Sequence, residues 1–489
     1  MRILCACITT IILLSGCNSS QNNQITVAIH NVTLLDAYQQ TEKATVLLNG
    51  DTISAVRQTA HTPEGTTIID GEGKYLIPGL WDAHVHLSYY PDLNTDYSYP
   101  LFIVNGITAV RDTGGLLDAV LPMRAEARRA GVIAPRVYVA GPLVDGKQRV
   151  YAGLNGRPNI SIGIDSPEEA RAQINALHAA GVDLIKLYEM NSPENFIAAA
   201  KRASELGLPI TTHVPLSMDT VDAALSGING VEHMRNLEQS CAVDYSERLS
   251  ARRKALANGK NKDGGDLRSA IHMLFRPDAI AMQDSERCAE VIATLAREEV
   301  FQTPTLTINT YASSPLAAEE KWWDTYVYLP GEVQEKWLAG SRRLAERIQA
   351  NAPHPSSRAF HDWAFTMVAK LRNGGVKIMA GTDNPIGFLT PGYSLHEELA
   401  LLVEAGLTPM EAIISATLRP AEFMRIQDKT GTIETGKWAD LVLLDADPRD
   451  DIRNTKRINT VIKAGQVFDR AELDGILAKL ENRAAPTVE

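Results

Sequence analysis

A chain of 489 residues that is 45% hydrophobic and 22% charged has the balance of an ordinary globular protein with ample material for a large core, which excludes a disordered chain. A net charge of -11 at pH 7 argues against a nucleic-acid partner, since binding a phosphate backbone needs a basic face. A small-molecule substrate is the better expectation, and none of these quantities sets an oligomeric state.

The first residues, MRILCACITTIILLSGC, join a basic start at Arg2 to an apolar run over 8–14 and small residues before a cysteine, as in an export signal. The run is too short to remain as a membrane-spanning helix. LSGC at 14–17 resembles the bacterial lipoprotein lipobox, which implies removal of residues 1–16, lipidation of Cys17 and a lipid-anchored protein facing the periplasm. Residues 17–24, ending in NSSQNNQ, then read as a polar tether. Loss of the signal discards Cys5 and Cys7, leaving Cys241 and Cys288 free to form a disulfide in an oxidising compartment; two separate buried thiols are the alternative.

Past the tether, ITVAIHNVTLLD and ATVLLNGDTISAVRQ are β-rich, with turn residues at Asn49, Gly50 and Asp51. GTIETGKWADLVLLDADP and INTVIKAGQVFD have the same character near the other end. The two ends are expected to build one small β-sandwich-like domain from 25–75 and 427–475, around a central domain over 76–426. His30 and His61 fall in the small domain and read as surface or turn residues.

The central domain opens on LIPGLWDAHVHL, residues 76–87, with His84 and His86 at the end of an apolar run. Side chains two apart on a strand share a face, so both imidazoles can converge on one point beyond its end. Alone, the pair suits a metal and a hydrogen-bonded loop about equally. GITAVRDTGG, PRVYVAG, VDLIKLY, LPITTHV, INGVEHM, VFQTPTL and VKIMAGTD follow, separated by helical segments such as SPEEARAQINALHAAG, whose His178 reads as a surface or packing residue. Eight strands alternating with helices predict an α/β protein with a (β/α)8 TIM barrel, whose functional side chains sit at the carboxyl ends of the strands. Those ends carry His84, His86, Lys186, His213, His233 and Asp383, and this combination at one mouth marks a site.

Residues 238–372 exceed what a barrel connection needs and are expected to form a helical insertion, shaping a lid or subunit contact unless its charged helices are merely solvated faces. KWWDTYVYLP within it either lines a pocket or packs in the core. His396 in SLHEEL starts the final helix; it has no assigned role, with lining the site as an alternative.

In their order, DAHVHL, DLIKLY, ITTHV, VEHM and AGTDNP make the chain resemble the amidohydrolase superfamily of metal-dependent hydrolases, and the resemblance extends to the split β-domain. The chain looks most like the imidazolonepropionase-like and prolidase-like branch, whose members often hydrolyse amide bonds of dipeptides or acylated amino acids. The resemblance implies two divalent metal ions, with a carbamylated Lys186 as an anionic bridge between them. His84, His86, Lys186 and Asp383 would hold one ion and Lys186, His213 and His233 the other; zinc fits these nitrogen and oxygen donors. An unmodified ammonium would be repelled by the ions, so Lys186 is either modified or paired with a carboxylate such as Glu189.

The implied function is hydrolysis of the C–N bond of a small amide or peptide by a metal-bound hydroxide, with Asp383 passing a proton to the leaving amine. Tyr188 and Arg235, each two residues beyond a ligand, reach the mouth if the backbone stays extended; Arg235 then clamps a substrate carboxylate or pairs with a local acid. The alternatives are a mononuclear cyclic imide hydrolase or deaminase on the same barrel, and a non-catalytic binding lipoprotein. The first has no need of Lys186 as a bridge, and the second has no use for an open metal site with a basic aspartate.

Overall fold

The computed structural model describes residues 25–59, 61–350 and 354–484, so the signal segment, Cys17 and the tether lie outside the described residues. Five strands come first: β1 (Val27–Leu35), β2 (Gln40–Asn49), β3 (Thr52–Arg57), β4 (Thr67–Asp70) and β5 (Tyr75–Pro78). Nine short strands follow: β6 (Leu80–Val85), β7 (Ile107–Asp112), β8 (Arg136–Val139), β9 (Leu143–Gly146), β10 (Ser161–Ile164), β11 (Ile185–Leu187), β12 (Ile210–Thr212), β13 (Gly230–Glu232) and β14 (Phe301–Thr303). The last are β15 (Leu441–Leu444), β16 (Ile458–Lys463) and β17 (Gln466–Phe468).

Strands from both ends form a single eight-stranded sheet ordered β17-β16-β15-β5-β1-β2-β3, with β4 also on β1, rather than two facing sheets. The reason lies in β1, which pairs with β4 through Val27–His30 and with β5 through Thr33 and Leu34. Asn31, between these stretches, is left-handed at φ 55°, and the β1 register against β2 shifts there. Val27, Ile29, Leu34, Leu76, Leu441 and Ile462 bury one another in a shared cluster, so neither end could cover its apolar face alone.

The remaining strands form two parallel sheets, β6-β7-β8 and β10-β9-β11-β12-β13-β14. Hydrogen bonds link their edges through residues outside the strands. Asp183 N donates to Val139 O at 2.9 Å, Met379 N to Gln302 O at 2.8 Å, and Ala83 N to Ala380 O at 2.9 Å. The expected eighth strand is thus present as a run over 376–384 with isolated bridges at Ile378 and Asn384, not as a continuous strand. Local side-chain bonds displace its ladder: Asp82 accepts from Thr382 N at 3.1 Å, Thr382 Oγ1 at 2.7 Å and Asn384 Nδ2 at 2.9 Å.

Helices between the strands begin on readable signals. Ser166 caps Pro167–Ala179 and Ser192 caps Pro193–Glu205, each with proline at the start of the first turn. Their apolar faces, Ile174 and Leu177 on one and Phe196 and Ala199 on the other, join the main core. β14 divides the 238–372 segment into two helical excursions, so it is not one insertion. Trp322 and Tyr326 are buried, with Tyr326 edge-on to Trp337, so KWWDTYVYLP packs in the core. No described helix is long and apolar enough to cross a membrane.

Candidate metal centre and catalytic cavity

Asp82, His84 and His86 project from one face of β6 and its extension, as the period of two requires. Asp82 is spent on the 376–384 run, and this brings Asp383 over the two histidines. His84 Nε2 and His86 Nε2 lie 3.0 and 3.1 Å from Asp383 Oδ1, and His233 Nε2 lies 4.0 Å from Oδ2. Gly381 permits this approach, since a Cβ there would stand 2.7 Å from His84 Cβ. Lys186 sits in β11, His213 just past β12 and His233 just past β13, on neighbouring strands of one sheet. The ring centroids of His84 and His233, and of His213 and His233, are each 4.7 Å apart.

Each of the four imidazoles uses Nδ1 for a bond to the protein. His84 bonds Glu232 Oε2 at 2.7 Å, His86 the Gly114 carbonyl at 3.0 Å, His213 Glu189 Oε1 at 2.7 Å and His233 Thr305 Oγ1 at 2.5 Å. Carbonyls and carboxylates only accept, and Thr305 Oγ1 already donates to Pro304 O, so all four Nδ1 atoms carry the hydrogen. The Nε2 lone pairs therefore face the cavity. His84 Nε2, Asp383 Oδ1 and Lys186 Nζ are buried without a hydrogen-bond partner, the first two facing each other out of alignment. Lone pairs pressed against a carboxylate fit a cation between them, and His84, His86 and Asp383 can each direct one ligand atom to a common point.

Residues 362–468 match the family model described as Amidohydrolase family. That match spans part of the chain, which over most of its length is similar to hydrolases acting on C–N bonds. It is 22% identical to the imidazolonepropionase of Symbiobacterium thermophilum over 397 residues, 80% of this chain and 79% of that protein. It is 23% identical to the ochratoxinase of Aspergillus niger over 449 residues, 80% of this chain and 75% of that one. The solved structure of a Xaa-Pro dipeptidase with bound methionine in the active site shares its fold, at TM-score 0.65 and 20% identity, over 91% of this chain and 99% of that chain.

The electrostatics of this centre are set from below. Burial opposes ionisation of Glu232, but Arg111, with Nη2 at 2.6 Å, outweighs it and with His84 holds the carboxyl well below its usual range. Burial likewise opposes Glu189, which His272 and Arg268 keep ionised. Burial lowers the Lys186 ammonium to about 7, so a neutral amine is accessible near neutrality. Glu189 does not pair with Lys186; its two oxygens go to His213 and to His272 Nε2, the latter at 2.6 Å.

Tyr188 and Arg235 both line the cavity, together with Tyr151, Arg268 and the ligand candidates. Tyr188 stacks on His213 with centroids 4.2 Å apart. Arg235 does not arrive on an extended backbone: His233 and Met234 are left-handed, at φ 58° and 54°, and the chain turns after Glu232. Cys241 and Cys288 are joined in a disulfide that ties the end of one short helix to Ser285–Arg297. His396 lies away from the cavity, bonded to Thr455 Oγ1 and Asn105 O.

Sequence reading missed Glu232, Arg111, Thr305, His272 and Arg268. Two signals were available. Glu232 directly precedes a ligand candidate, and Arg268, His272 and Arg276 recur every fourth residue, which puts them on one helix face.

Proposed function

We propose that the protein hydrolyses the C–N bond of a small amide, a dipeptide or an N-acyl amino acid, with two divalent ions, zinc by the character of the donors. His84, His86, Lys186 and Asp383 would hold one and Lys186, His213 and His233 the other, with Lys186 as a carbamate. The observation carrying this reading is the convergence of unspent Nε2 atoms on Asp383 beside the unpartnered Lys186 Nζ. The family-model match over 362–468 and the dipeptidase fold neighbour support it.

When bound, the ions supply Lewis acidity to the scissile carbonyl and acidify an attacking water. The chain's residues do the rest. Glu232, Glu189, Thr305 and the Gly114 carbonyl keep the four imidazoles in the tautomer that leaves Nε2 as donor atom to a cation. Asp383 takes the proton of the attacking water on a carboxylate oxygen and returns it to the leaving nitrogen, which departs as a neutral amine. Burial of every one of these groups keeps bulk water from competing.

The test combines elemental analysis of the active protein with a panel of dipeptides and N-acyl amino acids. Two metal equivalents and turnover on the panel are expected. One equivalent in fully active protein, with turnover only of cyclic imides or aminated heterocycles, would shift the assignment to a mononuclear enzyme. The exported, periplasm-facing, lipid-anchored state is part of the same proposal and rests on LSGC at 14–17. Cys17→Ser is expected to abolish lipid labelling and loosen membrane association.

A further inference from the structure

Two guanidinium groups in the catalytic cavity each bury a donor that has no hydrogen bond. Arg235 follows β13, and Arg268 comes from the distant helix Gly264–Ala281; both line the cavity beside Lys186 and Asp383. The Nε atoms of both are buried without a hydrogen bond. Glu189 Oε1 is 3.8 Å from Arg235 Nε, but Glu189 is already spent on His213 and His272. Among the described residues Arg268 makes neither a hydrogen bond nor an ion pair through its side chain. Burying guanidinium donors without hydrogen bonds is costly, which points to an acceptor supplied by the ligand.

The helix that delivers Arg268 is firmly seated. A Cβ on Gly264 would stand 2.4 Å from Arg149 O, and one on Gly265 2.5 Å from Arg157 Cζ, so the glycine pair lets the helix start press against the loop after β9. Arg157 bonds Asp263 at 3.0 Å and Asp266 at 2.9 Å across that contact. Along the helix, His272 bonds Glu189, and Arg276 bonds His272 Nδ1 at 3.1 Å and Glu238 Oε1 at 3.0 Å. Arg268 is the member of this braced row whose buried Nε has no hydrogen bond.

We propose that Arg268 and Arg235 together bind the free carboxylate of the substrate's leaving amino acid, which makes Arg268 the residue that selects carboxylate-bearing amides over neutral ones. The inference rests on the reading of the site as an amide hydrolase. A guanidinium presents paired donors in the plane of a carboxylate, and two of them from separate elements fix both oxygens. Tyr151 and Tyr188 complete the wall against which the substrate's apolar part would rest.

Calorimetric titration of the metal-loaded Asp383→Asn protein, which should bind without turnover, compares N-acetyl-L-leucine with N-acetyl-L-leucinamide. The carboxylate is expected to bind about 10- to 100-fold tighter, the worth of a charge-assisted hydrogen bond. Adding Arg268→Gln should bring that ratio below about 3-fold while amide binding holds, and Arg268→Lys, which keeps charge without the fork, should fall between. Equal affinity for both ligands, binding of neither, or an undiminished ratio in Arg268→Gln overturns the clamp; the first two need no Arg268 variant to fold. Turnover by the wild-type holoenzyme separates the two readings. A carboxylate preference in binding with no amide cleaved across the panel supports the clamp and sinks the hydrolase assignment, whereas cleavage of carboxamides as fast as carboxylates does the reverse.

Discussion

The two sides of the metal centre are anchored in different parts of the molecule. His84, His86 and Asp383 are held by groups on the parallel strands and their immediate ends: Glu232, the Gly114 carbonyl, and Asp82 acting through Thr382 and Asn384. His213 and His233 lean outward. His213 depends on Glu189, braced by His272 of a helical excursion, and His233 on Thr305. The loop of Thr305 is fixed in turn by Glu398, which accepts from Leu306 N at 2.9 Å and Thr307 N at 2.8 Å. One side is thus held by the strands and their ends, while the other is coupled to the helices that also shape the substrate wall, so changes in those helices reach it first.

The largest effect is expected where the sides meet. Asp383 lies within 4.0 Å of histidines from both, and Asp383→Asn should lower turnover by roughly two to four orders of magnitude, read by steady-state kinetics. Metal content should fall less. Near-normal turnover with metal bound would mean that the proton travels through another group.

Glu232→Gln strikes the core-anchored side. It strips the fully buried Arg111 of its charge partner, and stability in denaturant titrations should drop by about 3–5 kcal/mol. Glu189→Gln strikes the other side and should weaken one of the two proposed metals by about 10- to 100-fold in chelator competition. The metal held by His84 and His86 should keep its affinity. Equal loss at both would erase the distinction between the sides.

A pH experiment sharpens the comparison from outside the site. His396 is buried between Thr455 and the Asn105 carbonyl, and burial, followed by Lys456, lowers it to about 3. A lowered histidine means that the unfolded state binds the proton first. The stability it contributes is present above about 6.5 and is lost as pH falls from there towards 3, with a slope of about 1.4 kcal/mol per unit. In His396→Asn this part of the slope should vanish, while metal affinity on both sides is retained. Unchanged acid sensitivity would place the titrating group elsewhere.

The ligand candidates were readable because strand grammar is local. A period of two puts His84 and His86 on one face, and apolar runs ending in Lys186, His213 and His233 bring those residues to one end of parallel strands. The final run misled because its apolar character signals a strand, whereas Asp82, some 300 positions away, takes the bonds a ladder would use. Arg235 reaches the cavity, but not on an extended backbone, since nothing in VEHMRN announces a left-handed turn at His233 and Met234.

By itself the sequence determined the alternation of strands and helices, the joining of both chain ends by their matching β-rich character, and the residues at the strand ends, because each follows from periodicity over a few positions. Only the tertiary structure decided which atom of each imidazole faces the cavity, since the Nδ1 partners of His84 and His233 come from 148 and 72 positions away. It alone brought Arg268 beside Arg235 and left the Nε of each without a hydrogen bond. Periodicity dictates which face a side chain occupies, but the satisfaction of a buried donor or charge depends on whatever distant group the packing delivers, and no local pattern encodes that.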